Sequence, residues 1–161
     1  MRVENYSRDK ITPMNFSKIT DDLFIGTTPN AEDYQRLYDL GVRLVINMRI
    51  EKRPNKNLLG IPLEFLWLPT IDSPLFPIPV RLLLRGAREA LATIQEGGKV
   101  YSHCAGGVHR GVAMGASILI ANGYSPHEAM KLIKSKRPFA DPGVFYIRSR
   151  IMRFAQQWKV V

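Results

Sequence analysis

The stretch Lys99–Ala121, "KVYSHCAGGVHRGVAMGASILIA", decides the reading of this chain. "KVYS" has the character of a short strand. "HCAGGVHRGV" (His103–Val112) follows, with the only cysteine of the chain, two of its three histidines and three glycines. From Arg110 to Ala121 the residues are small and apolar, and such a helix is buried rather than exposed. The order is therefore strand, glycine-rich loop, buried helix. In open α/β sheets, ligands bind at the carboxyl ends of strands. A helix N-terminus adds unpaired N–H donors and partial positive charge. A cysteine in such a setting is readily ionised to the thiolate. Arg110 stands six residues after Cys104, and its planar fork can hold a tetrahedral anion through two hydrogen bonds. Gly106 and Gly107 let the backbone amides turn inward, where side chains would obstruct close approach. Thiolate, amides and guanidinium together describe a phosphate-binding site with a nucleophile.

Working outward, the pattern alternates. "LFIG" (Leu23–Gly26) reads as a short strand. Asn30 is placed to cap a helix running to Leu40, with Gly41 just past its end. "VRLVINM" (Val42–Met48) is β-branched and apolar, as a buried strand should be. "EKRPNKN" is a polar loop, and "LEFLWL" (Leu63–Leu68) another strand. "PTIDSPLFPIP" has four prolines and reads as irregular. A helix spans Val80–Gln95, with Leu83, Ala87, Ala90, Leu91 and Ile94 on one face, and stops at Gly97-Gly98. Ser125-Pro126-His127-Glu128 carries the signals of a capped helix start. Asp141-Pro142 is read as the start of the last helix, along which Val144, Ile147, Ile151, Phe154 and Trp158 recur. The fold class is α/β, a single domain with a central, mainly parallel sheet flanked by helices. Residues 1–15 form a lead-in and 16–161 the domain, with irregular structure expected through residue 18.

The chain has 161 residues, enough for one substantial core. Its N-terminus, "MRVENYSRDK", has no apolar stretch of a secretory leader, and no run of about 18 apolar residues suggests a membrane span. A lone cysteine forms no internal disulfide, which fits a cytoplasmic setting. The net charge of +9, from 23 basic and 14 acidic residues, favours anionic partners. No zinc-finger, RNP or KH pattern points to nucleic acid. The densest basic group, Lys131, Lys134, Lys136 and Arg137, is read as a solvated helix face and its exit. His103, Cys104 and His109 are the one soft-ligand cluster, but adjacent His and Cys rarely converge on one metal, so no metal and no cofactor are expected.

His103 followed by Cys104 and, six residues on, Arg110 makes H-C-x5-R. Here the chain resembles the cysteine-dependent protein tyrosine phosphatase superfamily, and within it the small dual-specificity-like phosphatases. "DDLFIGTTPNAEDYQRLYDLGVRLVINMR" is similar to the N-terminal half of those domains. "RPFADPGVFYIRSRIMRFAQQW" resembles their C-terminal helix, so the likeness spans most of residues 16–158. The resemblance implies that the Cys104 thiolate attacks phosphorus and forms a phosphocysteine. It implies that amides of Ala105, Gly106, Gly107, Val108, His109 and Arg110, with the Arg110 side chain, hold the phosphate oxygens. Family members carry a general acid on a loop roughly thirty residues before the cysteine. Asp72 lies 32 residues before Cys104, and it would then act as base on the hydrolytic water.

His103 is read as a structural support of the loop, and His109 as either facing substrate or lying at the surface. Asn47 is read as a strand-end cap, with bracing of the loop as its alternative. Many family members carry Ser or Thr after the arginine, where the hydroxyl helps the sulfur leave; this chain has Gly111. The loop lacks the lysines that often mark phosphoinositide-specific relatives, which favours a phosphorylated protein or small aryl phosphate as substrate. His109, just before the arginine, keeps inositol pyrophosphates open. Sulfurtransferase chemistry and phosphate binding without catalysis are the rival readings. Asp72 argues against the first, and the complete set of Cys104, Arg110 and Asp72 against the second.

Overall fold

A computed structural model describes residues 13–159. The earlier part of the expected lead-in, residues 1–12, lies outside the described residues. Five strands form one sheet in the order β1-β2-β5-β3-β4: β1 (Phe16–Lys18), β2 (Leu23–Gly26), β3 (Val42–Arg49), β4 (Glu64–Thr70) and β5 (Lys99–His103). Only β1 and β2 pair antiparallel; β2 with β5, β5 with β3 and β3 with β4 are parallel. The helices are α1 (Asp33–Asp39), α2 (Val80–Gln95), α3 (Arg110–Ala121), α4 (Pro126–Lys136) and α5 (Phe145–Trp158). The architecture is thus the expected α/β sheet with flanking helices.

Side-chain alternation along the strands explains why the sheet is covered on both faces. Leu23, Ile25, Leu44, Ile46, Met48, Leu66 and Leu68 pack with the apolar faces of α2, α3, α4 and α5 in the larger core. Phe24, Val45 and Tyr101 point the other way, into a smaller core with Tyr34 and Leu37 of α1. Helix α3 lies deepest; every residue from Arg110 to Ile120 is buried, as its composition demanded. The strand β5 is central in the sheet, so its carboxyl end, where Cys104 follows, is walled by neighbours on both sides.

Several expected boundaries are met. Helices α2 and α3 run as read, and Ser125 and Glu128 complete a reciprocal capping box at α4. Three details differ. Phe16–Lys18 is not irregular but an edge strand, paired with Phe24–Gly26. Helix α1 starts at Asp33 with Glu32 as its cap residue, not directly after Asn30. Helix α5 starts at Phe145 with Val144 as its cap residue, not at Asp141; the Asp141 amide instead donates to the Val108 carbonyl at 3.0 Å.

Candidate active site

The loop between β5 and α3 is held by its carbonyls. Thr28 Oγ1 donates to Cys104 O at 3.1 Å. Arg137 donates from Nη2 to Gly106 O at 3.2 Å and from Nε to Gly107 O at 2.8 Å. The Asp141 amide takes Val108 O at 3.0 Å, and the Ala113 amide takes His109 O at 2.9 Å. No amide from Ala105 to Arg110 donates to another described residue. With the carbonyls drawn away, the amides are left as a set of donors for an anion. Gly107 makes this possible: its φ is +64°, and a Cβ there would lie 2.6 Å from Arg137 Nη2 and 2.8 Å from Gly26 O.

Arg137 was expected on a solvated face, and the structure corrects this. It is fully buried, reaching beneath the loop from the end of α4. Its Nη1 also donates to Asn15 Oδ1 and Ser17 Oγ at 3.0 Å each, and its guanidinium lies 4.2 Å from the Phe139 ring centre. Four acceptors and an aromatic face replace the water that a lysine would have kept. Sequence reading grouped it with the neighbouring lysines because nothing local separates it from them.

Arg110 is itself buried at the start of α3. Its Nη1 and Nη2 meet Glu51 Oε2 and Oε1 end-on at 3.0 and 2.8 Å, and Nη1 also reaches Thr70 O at 2.8 Å. Its Nε is buried and has no partner among the described residues. Burial works against the Arg110 charge. The Glu51 carboxylate, with Cys104 and Asp72 behind it, more than offsets that cost and holds the pKa above the ordinary arginine value. In return, the hydrogen bond from Arg110 draws the Glu51 carboxyl down to about 2. Glu51 Oε1 also accepts from Arg49 Nε at 2.9 Å, and Arg49 Nη1 donates to Thr28 Oγ1 at 2.8 Å. A chain of contacts thus runs from Arg110 through Glu51, Arg49 and Thr28 back to Cys104. None of Glu51, Arg49 and Thr28 was singled out from sequence; the signal would have been the charged run after β3, which reads equally well as a solvated loop.

Cys104 is buried at the end of β5, within electrostatic reach of both Arg110 and Arg137. His103, one residue earlier, faces the interior. Burial pushes its imidazole down to about 3, so it is neutral near pH 7, in keeping with a structural role. Asn47 caps the end of β3: its Nδ2 donates to Lys52 O at 2.8 Å and its Oδ1 accepts from the Arg49 amide at 2.9 Å. Gly111 packs its Cα against the start of the loop, and its carbonyl accepts from Ser102 Oγ at 2.9 Å.

Asp72 comes from the loop after β4, and the fold brings it to the anion loop across 37 residues. Its Oδ2 meets His109 Nδ1 at 3.2 Å, and its Oδ1 accepts from the Tyr146 hydroxyl at 3.0 Å. His109 is therefore half-buried against an acid rather than free at the surface. Tyr146 was read from sequence only as part of a helix.

No family model matches the chain. Human dual specificity protein phosphatase 13B is 29% identical over 137 residues, covering 81% of this chain and 68% of that protein. Mouse dual specificity phosphatase 28 is 27% identical over 133 residues, covering 82% and 79%. Among solved structures, human DUSP28 superposes with a TM-score of 0.80 at 21% identity, over 92% of this chain and 97% of that one. PTPMT1 in complex with PI(5)P gives 0.80 at 25% identity, over 90% and 97%. With Cys104, Arg110 and Asp72 assembled on that fold, the chain is similar in sequence and in structure to the small dual-specificity-like phosphatases.

Proposed function

We propose that this phosphatase hydrolyses phosphomonoesters through a phosphocysteine on Cys104, with Asp72 as general acid and then base. The observation that carries the reading is the polarity of the loop. Its carbonyls are tied outward and its amides are left as donors, beside an arginine whose Nε is buried without a partner. This arrangement matches three equatorial phosphoryl oxygens, where charge gathers in the transition state. Glu51 grips the Nη edge of Arg110 and so presents the remaining Nε side for a phosphate oxygen. In the first step the Cys104 sulfur bonds to phosphorus as the ester oxygen leaves with a proton from Asp72. In the second, Asp72 takes a proton from water, the oxygen bonds to phosphorus, and the sulfur departs as thiolate.

The same loop bears on the substrate class. Ala105 to His109 offers no lysine for a second phosphate, which supports a phosphoprotein or aryl phosphate. The similarity to a structure that holds PI(5)P supports a phosphoinositide as the second reading. An aryl phosphate assay in chelator, with Cys104→Ser and Asp72→Ala, tests the chemistry. Full activity in Cys104→Ser, or a requirement for metal, refutes it. Rates on phosphotyrosyl peptides and on phosphatidylinositol monophosphates, compared at equal concentration, decide between the two substrate classes.

A further inference from the structure

We propose that Tyr146 is a positioning residue for the general acid, clamping Asp72 over the anion loop together with His109. The proposal rests on the reading of Asp72 as the acid. Asp72 lies on a loop whose neighbours Ile71, Leu75 and Phe76 are exposed, and its own side chain is 38% exposed. A carboxylate there would spread over several rotamers if nothing held it. Two groups do. His109 Nδ1 stands 3.2 Å from Oδ2, and the Tyr146 hydroxyl 3.0 Å from Oδ1. The triangle closes between hydroxyl and imidazole at 3.3 Å.

The donors can be assigned. A tyrosine hydroxyl has one proton, and it goes to Asp72 Oδ1. Against the ionised carboxylate an Nδ1–H on His109 serves Oδ2, with the tyrosine oxygen as its second acceptor; when Asp72 carries the proton it gives as acid, Oδ2–H donates to the bare Nδ1 of the other tautomer. Burial, followed by the Asp72 carboxylate, pushes the Tyr146 hydroxyl up to about 12, so it stays a donor across the working range. Each corner comes from a different element: the loop after β4, the anion loop and the first turn of α5. The α5 corner is stitched to the anion loop just upstream, where the Asp141 amide meets Val108 O. The Tyr146 ring packs at 5.6 Å from His109, and Phe145 closes on it edge-to-face at the same distance. The hydroxyl is thus fixed in the frame of the phosphate cradle, and the acid loop is registered against it.

Only a leaving group that needs a proton should sense this clamp. Tyr146→Phe is therefore measured with phenyl phosphate, whose phenol leaves poorly, and with 2,4-dinitrophenyl phosphate, whose phenol leaves unaided. The expected result is a fall of about 10-fold in kcat/KM on the first and less than about two-fold on the second. Inorganic phosphate should inhibit the variant as it does the parent, since the cradle is untouched. In an Asp72→Asn background, Tyr146→Phe should cost nothing further, because the two act as one unit. Equal losses on both esters, no loss on either, or a full additional loss in the Asp72→Asn background overturns the clamp. A parent-like rate on phenyl phosphate for Asp72→Asn alone instead overturns the acid assignment, and the clamp with it.

Discussion

Gly111 stands where many relatives carry a hydroxyl, and the structure shows what adding one would meet. A Cβ at this position falls 3.1 Å from the Cys104 amide nitrogen and 3.1 Å from both the carbonyl carbon and Cα of His103. All three are backbone atoms, so relief requires the first turn of α3 or the start of the loop to shift. Overpacking of this kind costs about 1–3 kcal/mol, or about 2–10 °C in Tm for a domain of this size. Gly111→Ala imposes the methyl group alone, and Gly111→Ser adds the oxygen at the same steric cost. The ratio of the two therefore isolates the hydroxyl. A hydrogen bond to the departing sulfur worth about 1.4 kcal/mol in the transition state is about tenfold in rate. Thermal melts should place both variants below the parent by similar amounts. Stopped-flow release of an aryl phenol should show a smaller burst and about tenfold faster turnover in Gly111→Ser than in Gly111→Ala. Equal bursts and rates in the two variants refute the role given to the hydroxyl. A Gly111→Ala protein as stable as the parent refutes the packing argument.

Arg137→Met keeps much of the apolar stem but leaves four acceptors, the buried Gly107 carbonyl among them, without their donor. It should lower stability by about 3–5 kcal/mol, read by urea denaturation, and weaken inhibition by vanadate or phosphate, because the Gly106 and Gly107 carbonyls are no longer drawn away. Glu51→Gln breaks a pair whose carboxylate is 44% exposed, so folding should change by no more than about 1 kcal/mol. Its effect should appear in kcat/KM, lower by about tenfold as Arg110 loses its orientation. His103 makes acid stability pH-dependent: the unfolded imidazole takes up its proton near 6.5 and the folded one only near 3. Between these values the unfolded state holds the extra proton, so this contribution is complete above pH 6.5 and is lost as pH falls toward 3. Melting temperatures from pH 7.5 to 4 should fall more steeply in the parent than in His103→Gln; parallel curves would show that the buried imidazole is not the cause.

The parts of this protein legible in its sequence are those whose signals are local. The β5–loop–α3 unit could be read because its period, glycines and apolar helix lie within 23 consecutive residues. The α4 start could be read because a capping box is complete within four. Asp72 was reachable only through the resemblance, since nothing near it in the chain marks a proline-flanked aspartate as catalytic. The support of the site was not legible. Glu51 meets Arg110 across 59 residues, Thr28 meets Cys104 across 76 and Tyr146 meets Asp72 across 74. Contacts at such separations follow no period. Asp141-Pro142 misled because the pair has the chemistry of a helix start, while the chain turns at residues 142–143 and enters α5 only at Phe145. The edge strand β1 is three residues long, too short to show alternation.

The anchorage of Arg137 ties the two halves of the chain into the order of folding. Its guanidinium binds Asn15 and Ser17 across 122 and 120 residues while it holds the loop around Cys104. Closing such distant contacts is slow compared with forming helices or the neighbouring parallel pairs. A ribosome must release the chain past residue 137 before the cradle can take its final shape. The ability to bind an oxyanion should therefore be among the last properties acquired during refolding, trailing the return of helical signal. On the proposed reading of Cys104, this topology keeps the nucleophile without its finished cradle until the chain beyond residue 137 has been made.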